Sequence, residues 1–221
     1  HAHEMIAGFI GAAIAGFLLT AVPNWTGRRG YAGAPLVLLI GLHFAARLAL
    51  LPGSPLPPPV AAVIGLLPLP ALLLTILPAL IKAGSSRLYG PPALVLAFWA
   101  GDVLMLAETA GWTAETFAAG QRLALNVALA LVGLIGGRIV PSFTLNALRK
   151  AGRMPGSPPW PWIDRAGMLA LGAVVVADLV APDSAASGAI ATVAALLALA
   201  RLARWHGHAT LGQPILLVLH L

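Results

Sequence analysis

Apolar runs about as long as a bilayer is thick follow one another along this chain, and they limit its fold more than any other feature. They lie near 5–22, 34–51, 60–81, 91–107, 123–140, 166–181 and 185–205, each bounded by proline, glycine or charge. A helix needs about 20 apolar residues to cross the hydrocarbon core, so each run is long enough, or nearly so, to span. An eighth run opens at Pro214 and reaches the last residue, Leu221, well short of a full crossing. The runs are continuous rather than alternating, and an open sheet edge cannot sit in lipid, which excludes strands. The expected fold is all-α: a polytopic transmembrane helical bundle of about seven spans plus the start of an eighth. It forms a single transmembrane helical domain over 1–221.

Composition agrees. Charged residues make up 9% of the chain and hydrophobic ones 59%, with a mean hydropathy of +0.91. A soluble domain carries roughly a quarter charged residues, so 13 Lys+Arg and 7 Asp+Glu cannot coat this one with a water-facing surface. Membrane lipid is therefore the main partner. The net charge of +6 and a pI near 11.1 belong to loops on one side of a membrane rather than to nucleic-acid binding. There is no cysteine, which excludes disulfides, thiolate-ligated haem and iron–sulfur clusters, and leaves His, Met and carboxylates as metal donors. The chain begins at His1 without a signal peptide, and the apolar run at its other end is short. Both ends read as truncated, with the expected spans an internal fragment.

Basic residues fall in every second connection: Arg28 and Arg29, then Lys82 and Arg87, then Arg149, Lys150, Arg153 and Arg165, then Arg201 and Arg204. The positive-inside rule puts loops 23–33, 82–90, 141–165 and 206–213 on the cytoplasmic side and His1 at the outer end of the first span. The 141–165 connection is rich in proline and tryptophan and reads as an inner-face loop.

Ionisable groups inside spans normally face the bundle interior and mark a pathway, a pair or a ligand. Five qualify: His43, Arg47, Asp102, Asp178 and His220. In the first helix, His1, Glu4 and Met5 share a face, while His3 points largely elsewhere. Imidazole suits copper, iron and zinc, thioether suits Cu(I), and a neighbouring carboxylate can orient a ligating imidazole. The plainer alternative places these residues at the wet interface. Glu4, Gly8, Ala12, Gly16 and Thr20 recur at four-residue steps, a stripe that lets another backbone approach. His43 and Arg47 lie one turn apart, and Arg47 has Asp102 or Asp178 as possible partners. That group reads as a structural ion pair, an anion site or a proton route. His220 needs a hydrogen-bond partner or a metal. His206-Gly-His208 reads as solvated loop, and Gly133, Gly136 and Gly137 as close helix packing rather than a phosphate cradle.

The stretch His1-Ala-His-Glu-Met-Ile-Ala-Gly-Phe-Ile-Gly-Ala-Ala-Ile-Ala-Gly-Phe-Leu-Leu-Thr-Ala-Val-Pro-Asn-Trp-Thr-Gly27 closely resembles the signature of the NnrS family of bacterial membrane proteins. So, in order, do Gly136-Gly-Arg-Ile-Val-Pro-Ser-Phe-Thr-Leu-Asn146, the shorter Ala203-Arg-Trp-His206, and Pro214-Ile-Leu-Leu-Val-Leu-His-Leu221. The resemblance implies an inner-membrane protein of about twelve helices that binds haem and copper and serves the response to nitric oxide and nitrosative stress, with nitric oxide itself a possible ligand. It makes His1, His3 and His220 the leading metal ligands, with His43 and Met5 weaker, and Arg47 and Arg138 cofactor-binding. Glu4, Asp102 and Asp178 become supporting or ion-pairing groups, and Arg138 and Asn146 motif residues. The chain departs from the family pattern at His43, where Trp is commoner, and at Leu106, near which a His is expected. Two rivals stand beside this reading: a secondary transporter using Arg47, Asp102 and Asp178 as a relay, and a structural membrane subunit.

Overall fold

A computed structural model describes residues 2–152 and 161–220, apart from the side chain of Arg87. Helices are α1 (Gly11–Thr26), α2 (Ala34–Ala49), α3 (Pro58–Gly65), α4 (Pro68–Ala83), α5 (Gly90–Thr109), α6 (Phe117–Lys150), α7 (Pro161–Val180), α8 (Ala185–Ala203) and α9 (Pro214–Leu217). Among the described residues there is no strand. Among the described residues, five helical stretches are long and apolar enough to cross a membrane: Glu4–Thr26, Pro58–Ala83, Gly90–Thr109, Phe117–Lys150 and Ala185–Ala203. Of the other expected spans, α2 has 16 residues, and α7 carries Asp164, Arg165 and Asp178. Large apolar side chains stand exposed along the helices, among them Val37, Phe44, Leu74, Leu169 and Val180. Lipid is the environment that accepts such a surface. The chain is a helical, multi-pass membrane protein. Its contacts divide it into two compact units, His1–Ala128 and Leu129–Leu221, with the division falling inside α6.

In the first unit α1 packs on α4, α2 on α3 and α4, and α5 on α3 and α4. Their apolar stripes meet in a core of Leu18, Val22, Leu72, Ile76, Leu80, Val95 and Phe98. A seven-residue π-helical stretch, Glu4–Ile10, leads into α1; such wide turns are rare and concentrate at functional sites. The helix runs past Pro23 and stops only at Gly27, whose φ of +64° lies in the left-handed region that glycine enters without steric cost.

The third predicted span is broken, and the break follows from its prolines. Pro68 and Pro70 have no N–H to give to the carbonyls of Ile64 and Leu66. Leu67 N–H turns back to Ile64 O at 3.3 Å, and the indole Nε1–H of Trp99, on α5, donates to Leu66 O at 3.0 Å. Both orphaned acceptors are satisfied, as a break at membrane depth requires. Where α5 meets α6, Gly101 and Gly120 face each other. A Cβ on Gly120 would stand 2.5 Å from Gly101 O, so only glycine permits this approach.

In the second unit α7 and α8 pair extensively. The inner-face loop expected over 141–165 is corrected here, because α6 continues through Pro141 to Lys150. Pro141 forfeits only its own bond to the Gly137 carbonyl. Beyond it, Ser142 Oγ donates to Arg138 O at 2.6 Å, and Thr144 and Leu148, one turn apart, are both buried. Residues 153–160 of that connection, with Met154 and Trp160, lie outside the described residues.

Candidate functional site

At the start of the first span, where the π-helical stretch begins, His3 reaches Asp102 of α5 and Glu4 reaches Arg47 of α2. His3 Nε2 lies 2.7 Å from Asp102 Oδ1, and both side chains are nearly excluded from solvent, 11% and 4% exposed. His3 Nδ1 lies 3.4 Å from Glu4 Oε1, and the other Glu4 oxygen accepts from Arg47 Nη1 at 2.8 Å. The four side chains thus form one string, Asp102–His3–Glu4–Arg47, tying the first helix to α5 at one end and α2 at the other. Gly8 makes room for it: a Cβ there would collide with Arg47 Nη1 and stand 3.3 Å from Glu4 Oε2.

The string has a definite chemical sense. With Asp102 as a carboxylate acceptor, the 2.7 Å contact is made by a His3 tautomer that carries its proton on Nε2. Nδ1 then faces a carboxylate oxygen, and two acceptors face each other stably only if a cation stands between them. A shared proton or a metal ion fits that position. The 3.4 Å separation matches neighbouring donors around one tetrahedral metal with bonds of about 2.0–2.2 Å. A histidine whose far nitrogen is held by a carboxylate is also the usual form of a metal-bound imidazole.

Beside the string lies a cavity of about 220 Å³, lined by small residues of α1, apolar residues of α2 and α4, and, at one end, His43, Arg47 and Asp102. Arg47 Nε is buried without a hydrogen-bond partner.

The second unit holds a separate imidazole. His220 Nε2 lies 2.9 Å from Thr144 Oγ1; Thr144, on the extension of α6 past Pro141, is wholly buried. His220 Nδ1 is buried with no partner. A Cβ on Gly207 would come within 3.0 Å of that nitrogen, so glycine lets the backbone lie against the ring. His206 and His208 flank Gly207, their rings 6.0 Å apart.

The predicted residues are therefore distributed. His3, Glu4, Arg47 and Asp102 are brought together, and His43 joins Arg47 and Asp102 on the cavity wall. Arg47 pairs with Glu4 and Asp102 with His3, rather than Arg47 with an aspartate. His1 lies outside the described residues. Met5 is half exposed. In the second unit, Asp178 is partly exposed on α7 and Arg138 exposed on α6. Among the described residues no three His, Asp or Glu side chains converge as a metal site.

Sequence reasoning missed Arg201. Placed with the loop cations, it is instead 7% exposed on α8. Its Nε donates to Asp164 at 3.0 Å, and Nη2 reaches Gly133 O at 3.3 Å. Its guanidinium carbon sits 5.8 Å from the Trp205 ring. Gly137 and Gly167 clear its slot: a Cβ on either would overlap the guanidinium or its stem. The signal was the spacing of Gly133 and Gly137, one helical turn apart, which marks a face cleared for something bulky.

No characterised protein and no solved structure gives a significant match to this chain. The family model described as "NnrS protein" matches residues 1–221, the whole length. The chain belongs to the NnrS family.

Proposed function

We propose that this chain is a haem- and copper-binding part of a multi-pass protein of the bacterial inner membrane that acts in the response to nitric oxide. Family membership supports the nitric oxide response as its general setting. The observation that carries the metal reading is the buried, unpartnered Nδ1 of His220. A buried polar atom without a partner costs about 1–3 kcal/mol, and coordination to a metal removes that cost.

The donor set fits imidazole coordination of iron or copper. His220 is the ligand of the second unit, through Nδ1, and Thr144 Oγ1 fixes its tautomer by accepting the Nε2 proton. His3 and Glu4, with His1 from the same motif, supply donors in the first unit, and Asp102 holds the His3 ring by accepting from Nε2. Arg47 neutralises Glu4 and keeps its carboxylate in place. Met5, His43 and Arg138 are weaker contributors, and Asp178 is an ion-pairing group. Bound at these residues, haem iron or copper would supply the affinity for a diatomic ligand such as nitric oxide. Nitric oxide is small, uncharged and lipid-soluble, so it reaches such a centre through the bilayer without a polar channel. In this reading loops 23–33, 82–90 and 206–213 face the cytoplasm, as does the connection from α6 to α7.

The test is an optical spectrum with elemental analysis of the full-length protein purified from membranes supplied with haem and copper. Wild type carries a haem signal or bound copper, and His220→Ala or His3→Ala loses part of it. A colourless, metal-free wild-type protein refutes the proposal.

A further inference from the structure

The cavity of the first unit has one polar end and otherwise apolar walls. We propose that it binds a small, neutral, lipid-soluble molecule bearing a carbonyl acceptor, of the size and character of a quinone head group. The metal reading plays no part in the argument, which rests on size, access, charge and unmet donors.

Apolar cavities of about 150 Å³ accept benzene, so about 220 Å³ accepts a six-membered ring with small substituents. Access is from the lipid side: Ile40 and Phe44 of α2, on the cavity wall, are 54% and 62% exposed. On α1, Ala12 and Gly16 keep the facing wall low, and a Cβ on Gly16 would meet nothing within 4 Å. A tail on the ring would leave between α1 and α2 into the hydrocarbon.

Charge decides between neutral and anionic occupants. The Arg47 charge is already balanced by Glu4 at 2.8 Å, and Asp102, held by His3, adds a second carboxylate at the same end. A carboxylate or phosphate head would add a third anion beside Glu4 and Asp102, with the Arg47 charge already taken. N–H donors, by contrast, are left over. Arg47 Nε is buried and unpartnered, and the half-buried His43 ring on the cavity wall makes no hydrogen bond to another side chain among the described residues. Buried donors seek acceptors, and a carbonyl oxygen supplies one without bringing charge.

The experiment measures retention of a tritiated decyl-benzoquinone by full-length protein in lipid nanodiscs over empty nanodiscs, with tritiated decanoate as the anionic comparison. Gly16→Phe fills the cavity, Gly16→Ala leaves it open, and Gly41→Phe adds the same ring on α2 where a Cβ meets nothing within 4 Å and outside the cavity lining. The expected result is saturable quinone binding, weakened tenfold or more in Gly16→Phe and several-fold in His43→Phe, and unchanged in Gly16→Ala and Gly41→Phe. Metal content, read on the same samples, stays at the wild-type level in Gly16→Phe. The proposal is overturned by equal binding in Gly16→Phe and wild type, by decanoate retained more tightly than the quinone, or by no saturable retention, as when another segment of the protein fills the space.

Discussion

The break in the third span offers a quantitative test of how this bundle satisfies its backbone. In an unbroken helix the N–H of residue 70 would serve the carbonyl of Leu66. Residue 70 is proline, and Trp99 Nε1–H takes its place at 3.0 Å. Replacing Trp99 by Phe keeps a ring and removes the donor. The stranded carbonyl costs about 1–3 kcal/mol, and because Leu66 is partly exposed the lower half of that range, about 1–2 kcal/mol, applies. Some packing is lost as well, so the single variant does not isolate the hydrogen bond. The isolating partner is Pro70→Ala, which restores a backbone donor. Leu66 and Leu67 already hold right-handed helical angles, φ/ψ of −80°/−10° and −72°/−34°, so the helical bond forms without refolding. In that background Trp99→Phe loses packing alone. The coupling energy of the four-protein cycle should therefore be about 1–2 kcal/mol, a roughly 5- to 30-fold change in the unfolding equilibrium. Reversible unfolding in mixed detergent micelles, followed by far-UV circular dichroism, measures it. Equal costs of Trp99→Phe in both backgrounds, within about 0.3–0.5 kcal/mol, would refute the reasoning.

Other substitutions probe the remaining devices. Gly137→Ala drives a methyl into the Arg201 guanidinium, whereas a methyl on Gly136 meets nothing within 4 Å; the first should be less stable than the second by about 1–3 kcal/mol in the same assay. Asp102→Ala strands the buried His3 N–H at a cost of about 1–3 kcal/mol, while Asp102→Asn keeps an acceptor and costs less. A His3 imidazole resonance that shifts in Asp102→Ala but barely moves in Asp102→Asn, by NMR of histidine-labelled protein, checks the pair directly. Gly207→Ala pushes against the His220 ring and should perturb any spectrum attributed to that residue, whereas Gly212→Ala, where a Cβ meets nothing within 4 Å, should not.

What could be read from the sequence was set by hydropathy and by the solvation of charge. Continuous apolar runs gave the helices and their approximate order, and the rule that buried ionisable groups cluster picked out Arg47 and Asp102 before their partners were visible. The partners themselves depend on register between helices, which no local pattern encodes. Arg47 is as compatible with an aspartate as with Glu4 until α1 and α2 are placed, and His3, judged to point away from Glu4 and Met5, has its Nδ1 3.4 Å from Glu4 Oε1. Pro141 was read as a stop because proline usually is one, yet a single missing N–H does not end a helix whose next turn buries Thr144 and Leu148. Arg201 was read by its charge rather than by the glycines that make room for it. Thr144 carries no signal as a histidine partner until the chain brings residue 220 back to it.

The central claim is that His220 presents a metal-binding nitrogen, and metal and haem stoichiometry per protein in three variants of the full-length protein tests it most directly. His220→Ala should lose bound metal or haem, while His206→Ala and His208→Ala, the neighbouring imidazoles, should retain the wild-type content. Wild-type content in His220→Ala, or equal loss in all three variants, would contradict the account.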